Sequence, residues 1–131
     1  MLPPERRIRS SVEFTAIVRR GARAGRPLLS VHLLAPDGDQ QVSAARLVVG
    51  KAVGGAVVRH RTSRRLRHLL GARLDGLPPG LKVVVRANVG AGTATSAELA
   101  VELDAALRAG LAKLARSAQA SGNRAATVGQ Q

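Results

Sequence analysis

Between Gly54 and Leu70 the chain reads Gly-Gly-Ala-Val-Val-Arg-His-Arg-Thr-Ser-Arg-Arg-Leu-Arg-His-Leu-Leu, and this stretch constrains the fold more than any other. Five arginines and two histidines crowd into ten residues that also keep a helical apolar rhythm. At about 100° per residue, Val58, Thr62, Leu66, Leu69 and Leu70 share an arc of roughly 120°, a stripe able to seat a helix on a sheet. His60, Arg61, Arg64, Arg65, Arg67 and His68 fall on the opposite side, and Arg59 lies at the margin of the stripe, where its guanidinium either snorkels outward or lines a groove. From Arg46 to Arg73 there are eight basic residues and no acidic one, so no carboxylate at i±3 or i±4 relieves the repulsion. A helix of one sign is expected to be covered by a polyanion.

The charge is general as well as local. The 131 residues carry 21 Lys and Arg against 8 Asp and Glu, a formal charge of +13, and 18 of the basic residues are Arg. Arginine's planar fork grips phosphate and stacks on bases, which suits RNA at least as well as DNA. A membrane-surface role would call for one amphipathic segment rich in Trp, Phe or Leu, whereas here the charge spreads over several elements. No apolar run approaches a bilayer span, and Met1–Arg7 does not read as a signal peptide. The absence of cysteine excludes disulfides and thiolate chemistry and fits a soluble, cytoplasmic protein. With one Phe and no Trp or Tyr, the core must be aliphatic.

Along the chain, Ser10 and Glu13 frame a capping box for a first helix with apolar Val12, Phe14, Ile17 and Val18, closed by Gly21. A basic, glycine-spaced loop through Arg26 leads to a strand over 28–34, a hairpin loop over 35–39 and a returning strand over 45–51. The Arg-rich helix runs from about residue 56 to 74. The valine run of 81–87 predicts a strand buried on both faces. After a Gly/Ala/Thr loop, Thr95, Ser96 and Glu98 cap a last helix with Leu99, Leu103, Leu107, Leu111 and Leu114 inward, ending near Arg116. Residues 1–116 are thus expected to form a single α+β domain, a two-layer sandwich of helices on a small mixed sheet, and residues 117–131 a disordered tail.

The segment from Lys51 to Arg67, followed by the valine strand, resembles the signature of the bacterial ribonuclease P protein subunit. Lys51, Gly54, Ala56, Val57, Arg59, Arg61, Arg64 and Arg67 match its pattern, as do Arg7-Ile8, Phe14, Ile17-Val18 and Gly21 near the start. His60, Gly55 and Ser63 depart from it, standing where the family has Asn, Asn and often Lys. The resemblance implies an α-β-β-(β)-α-β-α order with a left-handed β-α-β crossover, as in a domain of a small-subunit ribosomal protein. It implies a ribonucleoprotein that removes the 5′ leader from precursor tRNA, with Mg²⁺ held mainly by the RNA subunit and substrate, no catalytic group on the protein and no further protein partner. By the same resemblance Lys51, Arg59, His60, Arg61, Arg64, Arg65 and Arg67 bind the RNA subunit, and Phe14, Val18, Val31 and Arg59 line a cleft for the leader. A non-catalytic RNA-binding protein of ribosomal type is the competing reading. A DNA architectural protein is a weaker one, since no dimerising heptad or recognition-helix pair is present.

Overall fold

The computed structural model describes residues 3–36, 38–39 and 41–129, with side chains as far as residue 118. After a short 3₁₀ turn at Pro4–Arg6 come α1 (Ser11–Arg20), β1 (Ala22–Gly25), β2 (Leu29–Leu34), β3 (Ala44–Val48), α2 (Ala56–Leu74), β4 (Lys82–Ala87) and α3 (Ser96–Gly129). The four strands form one mixed sheet in the order β1-β2-β4-β3; only β3 and β4 run parallel, joined through α2. The fold is therefore α+β, as expected.

Two details of connectivity differ from expectation. Residues 22–25, read as loop, form an edge strand, because Ala-Arg-Ala-Gly has no β signal of its own and is recruited by pairing with β2. The hairpin is accordingly β1 with β2. The strand expected to return beside β2 is instead separated from it by β4, whose Val83, Val84 and Val85 are fully buried and take the central place.

Side chains alternate across this sheet and build two cores. Leu29, Val31, Leu33, Val83 and Val85 point to one face, where Leu66, Leu70 and Leu74 of α2 and Leu99, Leu103 and Leu107 of α3 cover them. Val84 points to the other, under Ile17 of α1 and the partly buried Phe14 and Val18. Ser10 accepts the Glu13 N–H at 3.3 Å as the α1 cap, but the Glu13 carboxylate turns to Lys82 instead of returning to Ser10. Val12, expected to be inward, is 79% exposed, since only the Phe14, Ile17 and Val18 side of α1 reaches the sheet. The reciprocal cap on α3 forms as read: Glu98 accepts the Thr95 N–H at 3.0 Å and Thr95 accepts the Glu98 N–H at 3.1 Å.

The tail expected over residues 117–131 falls partly outside the described residues. As far as Gly129 the backbone is helical and continues α3, consistent with the helix propensity of its alanines.

Carboxylates tie the elements together. Arg6 pairs with Asp75, Arg26 with Glu102 and Arg73 with Asp104, at 2.6, 2.7 and 2.5 Å. The Arg73 guanidinium holds the Asp104 carboxyl below the ordinary aspartate range.

Gly21 closes α1 with its N–H donating to Ile17 O at 2.9 Å. A Cβ there would lie 2.4 Å from that oxygen and 2.8 Å from Leu33 O, both backbone atoms that cannot swing aside. Gly21→Ala is expected to cost about 1–3 kcal/mol of stability, read as a lower urea midpoint with unchanged slope.

Candidate nucleic-acid interface

The exposed side of α2 is divided three ways by what its neighbours leave open. Thr62, Leu66, Leu70 and Leu74 are buried, and the Thr62 hydroxyl donates to Val58 O at 2.8 Å. The outermost stripe is His60, Arg64 and His68, all exposed, with Lys51 exposed in the 3₁₀ turn Lys51–Val53 just before the helix. These are free to meet an anion. Arg67, half-buried, lies on one flank beside the N-terminal segment.

On the other flank, Arg61 and Arg65 are already engaged. Arg61 donates to Gly92 O at 3.2 Å and Arg65 to Ala94 O at 2.8 Å, so successive turns of α2 clamp the loop between β4 and α3. That loop packs so tightly that a Cβ on Gly92 would sit 2.5 Å from Val53 O. These two guanidiniums, expected among the docking groups, thus hold protein backbone, because their angular position faces the loop. Arg59 sits half-buried between stripe and solvent, and its Nε is shut away from water with no partner among the described residues.

A second cationic surface lies on the sheet face that carries α1. The strand register sets Arg23 opposite His32, His32 opposite Val84, and Val84 opposite Arg46, one row across all four strands. The next row brings Ser30, Arg86 and Val48 together. Phe14 and Val18 overhang this face, and the Arg46 guanidinium stacks on the Phe14 ring, 4.4 Å from its centroid. The Phe14 face is therefore covered by a guanidinium, and Arg46 itself is half-buried.

Val31, expected in this cleft with Phe14 and Val18, belongs to the opposite face, fully buried in the core with Leu99 and Leu103. The alternation in Leu29-Ser30-Val31-His32-Leu33 already assigns Ser30 and His32 to one face and Val31 to the other. Arg23, Arg46 and Arg86 were missed because a face assembled from three separate strands becomes visible only once their register is known. Arg59 stands on α2 and therefore on the far side of the sheet from α1.

His32 is 6% exposed and its Nδ1 is buried with no hydrogen-bond partner among the described residues. Burial, then the charges of Arg23 and Arg86, hold its imidazole below the ordinary histidine range.

A family model described as Ribonuclease P matches residues 2–110. The chain belongs to the ribonuclease P protein family. It is 56% identical over 115 residues to the ribonuclease P protein component of Streptomyces griseus, covering 82% of this chain and 94% of that one. A Mycobacterium relative of the same description is 49% identical over 108 residues, covering 82% and 92%. The ribonuclease P protein of Staphylococcus aureus superposes with a TM-score of 0.70 at 19% identity, over 79% of this chain and 93% of that chain, and the Thermotoga maritima protein with 0.64 at 19%, over 74% and 90%. The fold is thus that of solved ribonuclease P proteins.

Because the unfolded chain protonates His32 more readily than the folded one, stability from this site is full above the ordinary histidine range. It is lost as pH falls through that range to the lower folded pKa. Unfolding free energies measured across this window are expected to fall more steeply with acid for the wild type than for His32→Phe. Arg23→Ala should move the His32 titration upward in NMR.

Proposed function

We propose that the chain acts as the protein component of bacterial ribonuclease P, assisting removal of the 5′ leader from precursor tRNA, with His60, Arg64, His68, Lys51 and Arg67 docking the RNA subunit. The observation that carries this reading is the separation of two basic surfaces by the sheet, in a chain whose family is that of ribonuclease P proteins. The outer ridge of α2 is convex, and among its described residues no carboxylate offsets it, as suits a phosphate backbone. The α1 face is an overhung cleft with guanidiniums along its rows, as suits a single strand with splayed bases.

In that cleft a leader base would stack on the half-buried Arg46, which Phe14 supports from behind. Arg23 and Arg86 would take the adjoining phosphates. Val18 would wall the cleft, while Val31 supports it only from the core. Stacking of this kind contributes roughly 1–3 kcal/mol per base, so an arginine backed by one aromatic ring can serve where aromatic residues are scarce.

The Mg²⁺ of the reaction would reside with the RNA subunit and substrate. Of the described carboxylates, Glu13, Asp75, Glu102 and Asp104 are in ion pairs and Glu98 caps α3. Among the described residues no three His, Asp or Glu side chains converge on a common point. The protein's contribution would be attraction and alignment, with the chemistry left to RNA and metal. Within the described residues no helix is long and apolar enough to cross a membrane, and a cytoplasmic ribonucleoprotein fits this reading.

Added to a bacterial ribonuclease P RNA at low Mg²⁺, the protein is expected to restore leader removal from precursor tRNA. RNA binding without any stimulation of cleavage would instead support a ribosomal-type binder. The two flanks of α2 should also separate in salt titrations. Arg64→Ala should lower the slope of log affinity for the RNA subunit against log salt by about one. Arg65→Met should lower that slope by clearly less than Arg64→Ala, since its guanidinium makes no phosphate contact, while reducing folding stability by about 1.5–3 kcal/mol through loss of its bond to Ala94 O.

A further inference from the structure

A groove of roughly 510 Å³ lies between the N-terminal segment and α2, along the outer edge of β3, with Arg67 of the ridge and Arg46 of the Phe14 face both in its lining. Its floor is apolar, from Ile8, Leu47 and Leu70, and its rim carries Arg7, Arg9 and Arg67. Among the described residues no carboxylate lines it. Its volume is in the range of about 300–1,000 Å³ in which small ligands are held. Guanidiniums from two separate segments converge on an apolar floor, an arrangement that favours an occupant both anionic and flat, and a nucleotide is both.

The sheet edge adds a third element. β3 is the terminal strand, and its neighbour on the open side is the N-terminal segment, through the bridge of Arg7 to Ala45, where Ile8 N–H donates to Ala45 O at 3.1 Å. Ala44 N–H points the other way, to Leu81 O at 3.0 Å. Backbone groups alternate in direction along a strand, so Leu47 presents its N–H and C=O toward the same open side as Ala45. They lie one step beyond that bridge. An edge strand leaves backbone donors and acceptors open to another partner, and the edge of a base carries both donors and acceptors.

Arg67 links the groove to the ridge of α2. His60, Arg64 and Arg67 stand at i, i+4 and i+7, on one stripe, so a strand following His60 and Arg64 is led to the groove at Arg67. We propose that this groove holds one unstacked nucleotide of the RNA subunit, its base on Ile8 and Leu47 against the Leu47 backbone and its flanking phosphates on Arg9 and Arg67. The assignment rests on the ribonuclease P reading given above, and it commits to the RNA subunit and not to the leader. The ridge that leads to the groove is the surface assigned to that RNA, whereas the Phe14 cleft assigned to the leader lies on the α1 face and meets the groove at Arg46.

The test uses the full-length protein with a photoreactive benzoylphenylalanine in place of exposed Arg9, or in place of His60 as a marker of the ridge. Each is bound to the ribonuclease P RNA without substrate, and the crosslinked nucleotides are mapped. The expected result is a short single-stranded segment of the RNA reached from position 9, close to the nucleotides reached from position 60. The double variant Arg9→Ala/Arg67→Ala should lower the salt slope for RNA-subunit binding by about two. Crosslinks from position 60 alone would overturn the groove assignment and leave the functional reading intact, as would crosslinks from position 9 that appear only with precursor tRNA and only on its leader. No crosslink from either position, together with a salt slope unmoved by Arg64→Ala, would overturn both.

Discussion

Three consecutive valines without solvent exposure set the conditions for everything else. Val83, Val84 and Val85 alternate sides, so each face of β4 requires a cover, and the strand is stable only between β2 and β3 with helices on both sides. One cover comes from the leucines of α2 and α3, the other from Ile17 of α1. Because α1 is short, it shields only part of its face, and the remainder is the basic cleft. Because α2 has a single buried stripe, its opposite side is left as the basic ridge. Both surfaces are thus what remains after a doubly buried strand has been covered.

The chain's few carboxylates reinforce this division. Asp75, Glu102 and Asp104 each fasten an arginine from a distant segment, and Glu13 fastens Lys82. Where such a pair is exposed it contributes little to stability, from about 0 to 1 kcal/mol, although Glu102 and Lys82 are largely buried. Their placement has a larger effect on the field, because the acids are paired with arginines away from the outer α2 stripe. Arg73 is basic and lies on α2, yet with Asp104 against it, it takes no part in the ridge. Net charge alone would not have separated it from Arg64.

Periodicity alone makes much of this legible in the sequence. The α2 stripe of Thr62, Leu66 and Leu70, the valine strand, the Thr95–Glu98 cap and the leucines of α3 all follow from spacing and chemistry within one segment. What could not be read depends on relations between segments. Ala22–Gly25 is a strand only because β2 pairs with it, and β4 lies between β2 and β3 through a choice that sequence order does not express. Arg61 and Arg65 look like Arg64 on a helical wheel, and only the loop at Gly92 and Ala94 tells them apart. Val31 is a different case, since the polar alternation of Ser30 and His32 already placed it on the core side.

The clamp on that loop has an electrostatic consequence. Arg61 and Arg65 are held by backbone carbonyls, which fix position without supplying a counter-charge. Had carboxylates done the same work, two positive charges on α2 would have been cancelled locally. Anchored to neutral oxygens, the guanidiniums still contribute to the potential that a distant polyanion senses, although their hydrogen bonds face inward. The same side chains can therefore stiffen the protein at short range and draw a polyanion toward it at long range, so that part of the attraction comes from residues that make no contact with it.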